Sequence, residues 1–263
     1  MSRRIRSIEA VAERHLCCGC GVCAFVQPQE ISMIDDIGAG RRPVVLAGAD
    51  TSAALRCCPG AELEHPEDHP IGVDADLLDG WGPVLEVWEG HATDRELRYS
   101  GSSGGVISAL GLHGVMDAQA GGVIHIRQRD DIPLLNETVL SSDREGLLRG
   151  SGSRYAPASP CDSLELAVQG EQPVVFIGKP CDVAATRGAE RHTDELRGKI
   201  AVTIALFCAG APSTAGTLEM LDTMNVDDVT KIDEIRYRGN GWPGEAVVQM
   251  DDGENHRLSY AES

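Results

Sequence analysis

The sequence predicts an α/β protein in which a small cysteine-bearing module, residues 1–80, precedes a mostly parallel α/β domain, residues 81–263. Two observations lead to this. Six of the nine cysteines lie within the first 58 residues, and the remaining three are spread through the second half. Two continuous apolar runs, 173–177 and 200–207, each lead into a helical pattern. Strands of that kind are buried on both faces, and their alternation with helices implies a parallel sheet.

At 263 residues the chain can bury a sizeable core, and its hydrophobic fraction of 42% and charged fraction of 24% are those of an ordinary soluble globular protein. A formal charge of −18 argues against non-specific nucleic-acid binding and against anionic membrane surfaces. Residues 1–16 lack the apolar core of a secretory signal. The longest apolar run, 200–207, is too short to span a bilayer. Nine cysteines without a secretory signal point to a reducing cytoplasm, where cysteines bind metal or do redox chemistry more often than they pair.

Residues 1–16 form a charged lead-in with a short helical tendency at Ile8, Val11 and Ala12. The loop Cys17-Cys18-Gly19-Cys20-Gly21-Val22-Cys23 follows. Cys17, Cys20 and Cys23 occupy the first three positions of the bacterial ferredoxin run, whose fourth Cys precedes a proline. Gln27 stands in that place before Pro28, while Cys58 precedes Pro59 further on. Cys17, Cys20, Cys23 and Cys58 are therefore expected to hold a 4Fe–4S cluster, with Cys57 the weaker choice for the fourth thiolate. A structural zinc site is the competing reading, although such sites usually present two C-x2-C pairs. Short strands are expected at 31–34 and 43–46 around a glycine turn, and the acidic stretch 62–70, with His65 and His69, reads as a connector.

Residues 84–88 read as the first strand of the second unit. Tyr99-Ser100-Gly101-Ser102-Ser103-Gly104-Gly105 then opens a helical pattern over 106–116. Backbone N–H groups and hydroxyls at a helix start suit a phosphate, and they equally suit a plain cap on a close-packed helix. A strand at 122–126 leads to a second glycine–serine loop, 149–155, flanked by Arg149 and Arg154, which could pair with phosphate. A short helix is expected at 164–168. The strand at 173–177 ends at Gly178-Lys179-Pro180-Cys181-Asp182, with a helix from 183; the strand at 200–207 ends at Cys208, before a helix from Ser213 to 224. Carboxyl ends of parallel strands line the ligand crevice, which places Cys181 and Cys208 on one edge. After a strand at 232–235, residues 236–244 mix cations, aromatics and turn formers, a combination suited to a planar anionic ligand; strands are expected at 245–250 and 257–260.

Seven stretches, CCGCGVC, CCPG, YSGSSGGVISAL, GSRYAP, VVFIGKPCD, LFCAG and RYRGNGWPG, taken in order, resemble the beta subunit family of coenzyme F420 hydrogenases and dehydrogenases. That family also includes 7-hydroxymethyl chlorophyll a reductase. The resemblance implies a cytoplasmic iron–sulfur flavoprotein oxidoreductase that passes electrons between one or two 4Fe–4S clusters and FAD, with hydride exchange to coenzyme F420 or a related conjugated acceptor. It implies an iron–sulfur module followed by an FAD-binding α/β domain. Ser102, Ser103, Gly104, Gly105, Ser151, Ser153 and Tyr155 would lie against FAD. Lys179, as a catalytic residue, and Arg236, Arg238 and Asn240 would serve the flavin or substrate pocket. Cys181 and Cys208 would ligate a second cluster. Relatives continue into a further cysteine pair, so the chain is expected to be a fragment lacking later ligands. Ferredoxin or a hydrogenase or dehydrogenase subunit is the implied partner. The alternatives are a ferredoxin-linked reductase of another substrate and an accessory electron-transfer subunit.

Overall fold

The computed structural model describes residues 5–64, 69–101 and 105–259, so His65 and the Ser102, Ser103 and Gly104 positions lie outside the described residues. The charged lead-in forms α1 (Ile8–Glu13), capped by the Ser7 hydroxyl, which accepts the Ala10 N–H. Ile8 and Val11, three residues apart and so on one side of the helix, are its buried residues. The cysteine loop enters α2 (Val22–Val26) through Gly21 at φ 86°, a conformation that costs glycine no Cβ clash. The predicted hairpin forms as β1 (Ile31–Asp36) and β2 (Gly40–Val45), antiparallel, with Ile31 opposite Val45 and Asp36 opposite Gly40. Helix α3 (Ser52–Cys57), which the sequence reading did not foresee, ends with Cys58 as its C-cap.

Helix α4 (Leu78–Trp81) is a single turn. The strand expected at 84–88 does not form, and Leu85, Val87 and Trp88 stand exposed. Alternating apolar residues make a strand only where a neighbour offers hydrogen bonds and a face to pack on. Helix α5 (Arg95–Ser100) is capped by Asp94, whose carboxylate accepts the Glu96 and Leu97 N–H groups. Helix α6 (Gly105–Met116) follows, then β3 (Val123–Gln128), β4 (Asn136–Ser141), α7 (Arg144–Arg149) and α8 (Glu165–Gln169). The chain goes on through β5 (Val174–Gly178), α9 (Pro180–His192), β6 (Ile200–Ala205) and α10 (Thr214–Thr223), and ends with β7 (Ile232–Arg236), β8 (Glu245–Met250) and β9 (Asn255–Ser259).

The central sheet has the order β4-β3-β5-β6. Strands β3, β5 and β6 are parallel, while β4 pairs antiparallel with β3 through a short hairpin. The second sheet, β7-β8-β9, is wholly antiparallel. The protein is thus mixed α/β, with the expected parallel strands at its centre and antiparallel pairs wherever the connection is too short for a crossover helix.

Strand alternation explains the continuous apolar runs. Val123, Val175, Ile177 and Ile204 pack on one face with Leu112 and Val115 of α6. Ile124, Val174, Phe176 and Ile200 pack on the other with Ala185 and Ala189 of α9. Phe176 is fully buried, a contribution of about 1.5–3 kcal/mol. Cys20, Val22 and Cys57 belong to that second core as well, so the thiol-bearing segments pack against α9. Gly188 of α9 approaches Cys57 so closely that an added Cβ would lie 3.0 Å from the Cys57 carbonyl oxygen. The second sheet closes over α10 through Leu221, Ile232, Ile235, Tyr237 and Val248.

Helix α9 starts earlier than expected, with Lys179 as N-cap and Pro180 in the first turn, where a missing N–H costs nothing. Cys181 therefore sits in the first turn of a helix of 13 residues rather than at a strand end.

Candidate functional site

The thiols fall into two groups. Cys17, Cys23 and Cys58 face one another, and burial, reinforced by the two neighbouring thiols, pushes Cys23 up to about 12. Burial also raises Cys58, which borders Cys17, and holds Cys57 at about 11. Cys20, from the same loop, turns the other way, towards Cys161; that thiol contact and complete burial raise it well above its ordinary value. The backbone supports this pairing, because the Cys161 N–H donates to the Cys20 carbonyl at 2.9 Å. The Cys161 thiol in turn reaches the Asp182 carbonyl at 3.3 Å.

Arg41 on β2 binds this region together. Its Nε donates to Ser159 Oγ at 2.9 Å, one Nη donates to Asp162 at 2.9 Å and the other to Asp35 at 3.1 Å. The Ser159 hydroxyl in turn donates a hydrogen bond to the Gly19 carbonyl at 2.7 Å. The thiol loop is therefore fixed on both sides, by Ser159 at Gly19 and by Cys161 at Cys20.

Among the described residues no three His, Cys, Asp or Glu side chains are gathered as if to hold a metal ion. A cubane distributes its thiolates over four irons, so its ligands need not meet at one point. On binding a cation these thiols would release their protons to solvent, because coordination lowers a thiol's pKa outright.

Lys179 caps α9 beside these thiols. Its backbone N–H and its ammonium both donate to Asp182 Oδ2, at 2.8 and 2.7 Å. Burial works against the ammonium, but the Asp182 carboxylate outweighs it and holds Lys179 above its ordinary value. Asp182 is buried, and Gly178 leaves room for it: an added Cβ there would lie 2.8 Å from that of Asp182.

The two glycine-rich segments meet. Ser153 bridges to Arg238, with its N–H on the Arg238 carbonyl at 3.2 Å. Gly152, at φ 98°, lies against the Arg236 guanidinium; an added Cβ would be 2.9 Å from Nη1. Arg236 reaches on to the Ser100 carbonyl at 3.3 Å, and the Gly241 N–H donates to the Tyr99 carbonyl at 3.0 Å. A cavity of about 310 Å³ lies on the Ser151 side, lined by Arg127, Arg149, Ser151, Ser153, Arg154 and Arg236. A second, of about 490 Å³, is lined by His91, Arg95, Arg98, Tyr99, Val106 and Trp242.

Ser151, Ser153 and Arg236 thus line one cavity. Gly105 borders the larger cavity, and Asn240 is exposed beside it at φ 56°. Tyr155 packs edge-on against Tyr237 with ring centroids 6.0 Å apart. Arg238 is buried, donates to the Pro243 carbonyl at 2.7 Å and lies 4.4 Å from the Trp242 ring centroid, so it braces the segment. Cys181 and Cys208 have different surroundings: Cys181 faces Cys18, whereas Cys208 is exposed and accepts the Gly210 N–H at 3.3 Å. His91, Arg95 and Arg98 were missed as pocket residues, because they come from a segment that adjoins the 236–244 stretch only after folding.

Two profiles of the coenzyme F420 hydrogenase/dehydrogenase beta subunit family match the chain, the N-terminal profile over residues 87–165 and the C-terminal one over residues 171–263. The chain belongs to this family. Among solved structures, the F420-reducing NiFe hydrogenase complex from Methanosarcina barkeri contains a chain of similar fold, with a TM-score of 0.50 and 22% sequence identity. That alignment covers 65% of this chain and 59% of the hydrogenase chain. No curated protein matches. Membership of the coenzyme F420 hydrogenase/dehydrogenase beta subunit family supports an oxidoreductase role in general, and both cavities fall within its matched segments. The thiol loop and Cys58 precede them. No helix among the described residues is long and apolar enough to cross a membrane.

Proposed function

We propose that this chain is an iron–sulfur flavoprotein subunit that carries electrons between a 4Fe–4S cluster on Cys17, Cys23 and Cys58, with Cys20 leaving Cys161 to supply the fourth thiolate, and FAD held by the glycine–serine loops. Bound together, these groups would interconvert one-electron and hydride transfer. The observation that carries the reading is the meeting of the 99–101, 151–155 and 236–244 segments around two cavities furnished with arginines, hydroxyls and aromatic rings. Those side chains suit a molecule that is both flat and multiply anionic: Tyr99 and Trp242 offer ring faces, and Arg95, Arg98 and Arg236 offer cations. Lys179, a catalytic residue in this reading, presents a fixed positive charge at the carboxyl end of β5, where a reduced and therefore more anionic ligand would be favoured. Coenzyme F420 or a related conjugated acceptor is the hydride partner, and ferredoxin or a hydrogenase or dehydrogenase subunit is the electron partner.

Anaerobic purification of the full chain tests this. The expected outcome is about one FAD with about four irons and four acid-labile sulfides per chain. Failure to retain or rebind FAD overturns the flavin assignment, and zinc without sulfide overturns the cluster.

An accessory subunit with no substrate chemistry of its own is the second reading. Exposed Leu85, Val87, Trp88 and Phe207, with Trp81 edge-on to Phe207 at 6.4 Å, favour it because apolar surface of this kind marks protein contacts. Turnover of a deazaflavin by the isolated chain would exclude it.

A further inference from the structure

Gln27 stands where the ferredoxin run has its fourth cysteine, and the fold gives its side chain a different task. Its Oε1 accepts the Ala54 N–H at 2.9 Å, and its Nε2 donates to the Asp50 carbonyl at 2.8 Å. Ala54 is the third residue of α3, so Gln27 takes the N–H that an N-cap side chain would ordinarily satisfy. Thr51, the N-cap itself, makes no such bond; its hydroxyl instead accepts the Ile8 N–H at 3.1 Å, at the start of α1. A six-residue helix is marginal by itself, and here its cap comes from another segment. The Gln27 backbone is in turn tied to the thiol loop, its N–H donating to the Cys23 carbonyl at 3.0 Å. One residue thereby joins Cys23 to the helix whose C-cap is Cys58, a turn beyond Ala54. Packing closes the same junction. Cys23, Ala54 and Cys58 share a core with Ile8 and Ile31, and Gly60 abuts the Leu16 carbonyl, next to Cys17, too closely to admit a Cβ.

We propose that Gln27 is a positioning residue for the cluster: it binds no iron, and by capping α3 it holds the Cys58 thiolate towards Cys17 and Cys23. This deepens the cluster reading above and rests on it. The place of the absent ferredoxin cysteine is filled by a side chain that brings a later cysteine to the site. Without the amide, the start of α3 is uncapped and Cys58 is held less firmly, so the iron it binds is the first to leave. Mild oxidation exposes that weakness. A dipositive 4Fe–4S core that gives one electron to ferricyanide and releases that iron as Fe2+ becomes a monopositive 3Fe–4S core.

The test uses the full chain, reconstituted anaerobically with iron and sulfide, as wild type and as Gln27→Met, Gln27→Asn and Gln27→Glu. Methionine removes both hydrogen bonds at similar length, asparagine is one methylene too short to reach α3, and glutamate keeps the acceptor for the Ala54 N–H. Electron paramagnetic resonance after stoichiometric ferricyanide, with iron per chain, reads the outcome. Wild type and Gln27→Glu should keep about four irons, whereas Gln27→Met and Gln27→Asn should fall to about three and show the three-iron signal, as should Cys58→Ser. Gly253→Ala, strained at φ 89° in the β8–β9 turn with no neighbour within 4 Å, controls for lost stability and should match wild type. The proposal is overturned if the methionine and asparagine variants keep four irons, or if Gly253→Ala loses one as readily; where only one of the two Gln27 variants folds, that one decides. A wild type that assembles no cluster overturns the cluster reading and this inference with it. A wild type that assembles one, with Gln27 variants indistinguishable from it, overturns this inference alone.

Discussion

The Arg41 guanidinium spans from the N-terminal hairpin to Asp162, 2.9 Å away, and in the same reach holds Ser159, whose hydroxyl grips the Gly19 carbonyl. One side chain thereby couples the thiol loop to the segment that carries Cys161. Arg41→Met leaves Asp162 and Ser159 without their cation and should cost about 2 kcal/mol, since hydrogen bonds to charged groups contribute about 1.5–3 kcal/mol. Urea denaturation of wild type and variant measures it, and an unchanged midpoint would show that the clamp is dispensable.

Gly21 gives a second handle on the same junction. At φ 86°, an alanine there is strained by about 1–2 kcal/mol, and its Cβ would lie 2.8 Å from Asp162 and 2.9 Å from the Ser159 side chain. Gly21→Ala should therefore destabilise the protein by more than the backbone strain alone. Thermal unfolding beside Gly48→Ala, at φ 81° with no neighbour within 4 Å, separates the overlap from the strain.

Lys179 and Asp182 form a pair in which the carboxylate is buried and the lysine partly so. Removing only the lysine leaves a buried carboxylate without its cation, a loss of about 3–5 kcal/mol for fully buried pairs and less here. Lys179→Met should thus cost more than the double variant with Asp182→Asn costs beyond the single Asp182→Asn. A double-mutant cycle by chemical denaturation gives the coupling, and additive losses would refute it.

His125 supplies a pH dependence. Burial holds its pKa below the ordinary 6.5, with Nε2 on the Ser141 hydroxyl at 2.8 Å and the ring beneath Gly150. The unfolded chain binds this proton more readily, so stability present above about pH 6.5 falls as the pH drops towards the lowered value. The loss in urea midpoint between about pH 7.5 and about pH 5 should be smaller in His125→Gln than in wild type.

Trp242 stands 80% exposed beside the larger cavity, with Arg238 stacked on its ring. Trp242→Ala removes a ring face and should weaken binding of a planar anionic ligand by about two- to tenfold, since ring stacking contributes about 0.5–1.5 kcal/mol. Titration of the flavin-free chain with FAD measures it; Trp88→Ala, exposed on the 84–90 segment, is the matched control.

Local patterns in the sequence determined the parallel core of this protein, because buried strands at 174–178 and 200–205 advertise themselves by apolar continuity and need only their own helices to be recognised. They also determined the two glycine-rich segments, whose turn chemistry is local, and the family to which those motifs belong. What local pattern cannot carry is the identity of a neighbour. The 84–88 segment alternates like a strand and finds no pairing partner, while polar β4 becomes a strand because β3 offers an edge. The same holds at the site. Four cysteines at 17, 18, 20 and 23 look like a single motif in one dimension. Packing sends Cys17 and Cys23 towards Cys58, while Cys18 and Cys20 touch each other and reach Cys181 and Cys161 respectively. Only the tertiary structure decides which partner each thiol of the loop meets.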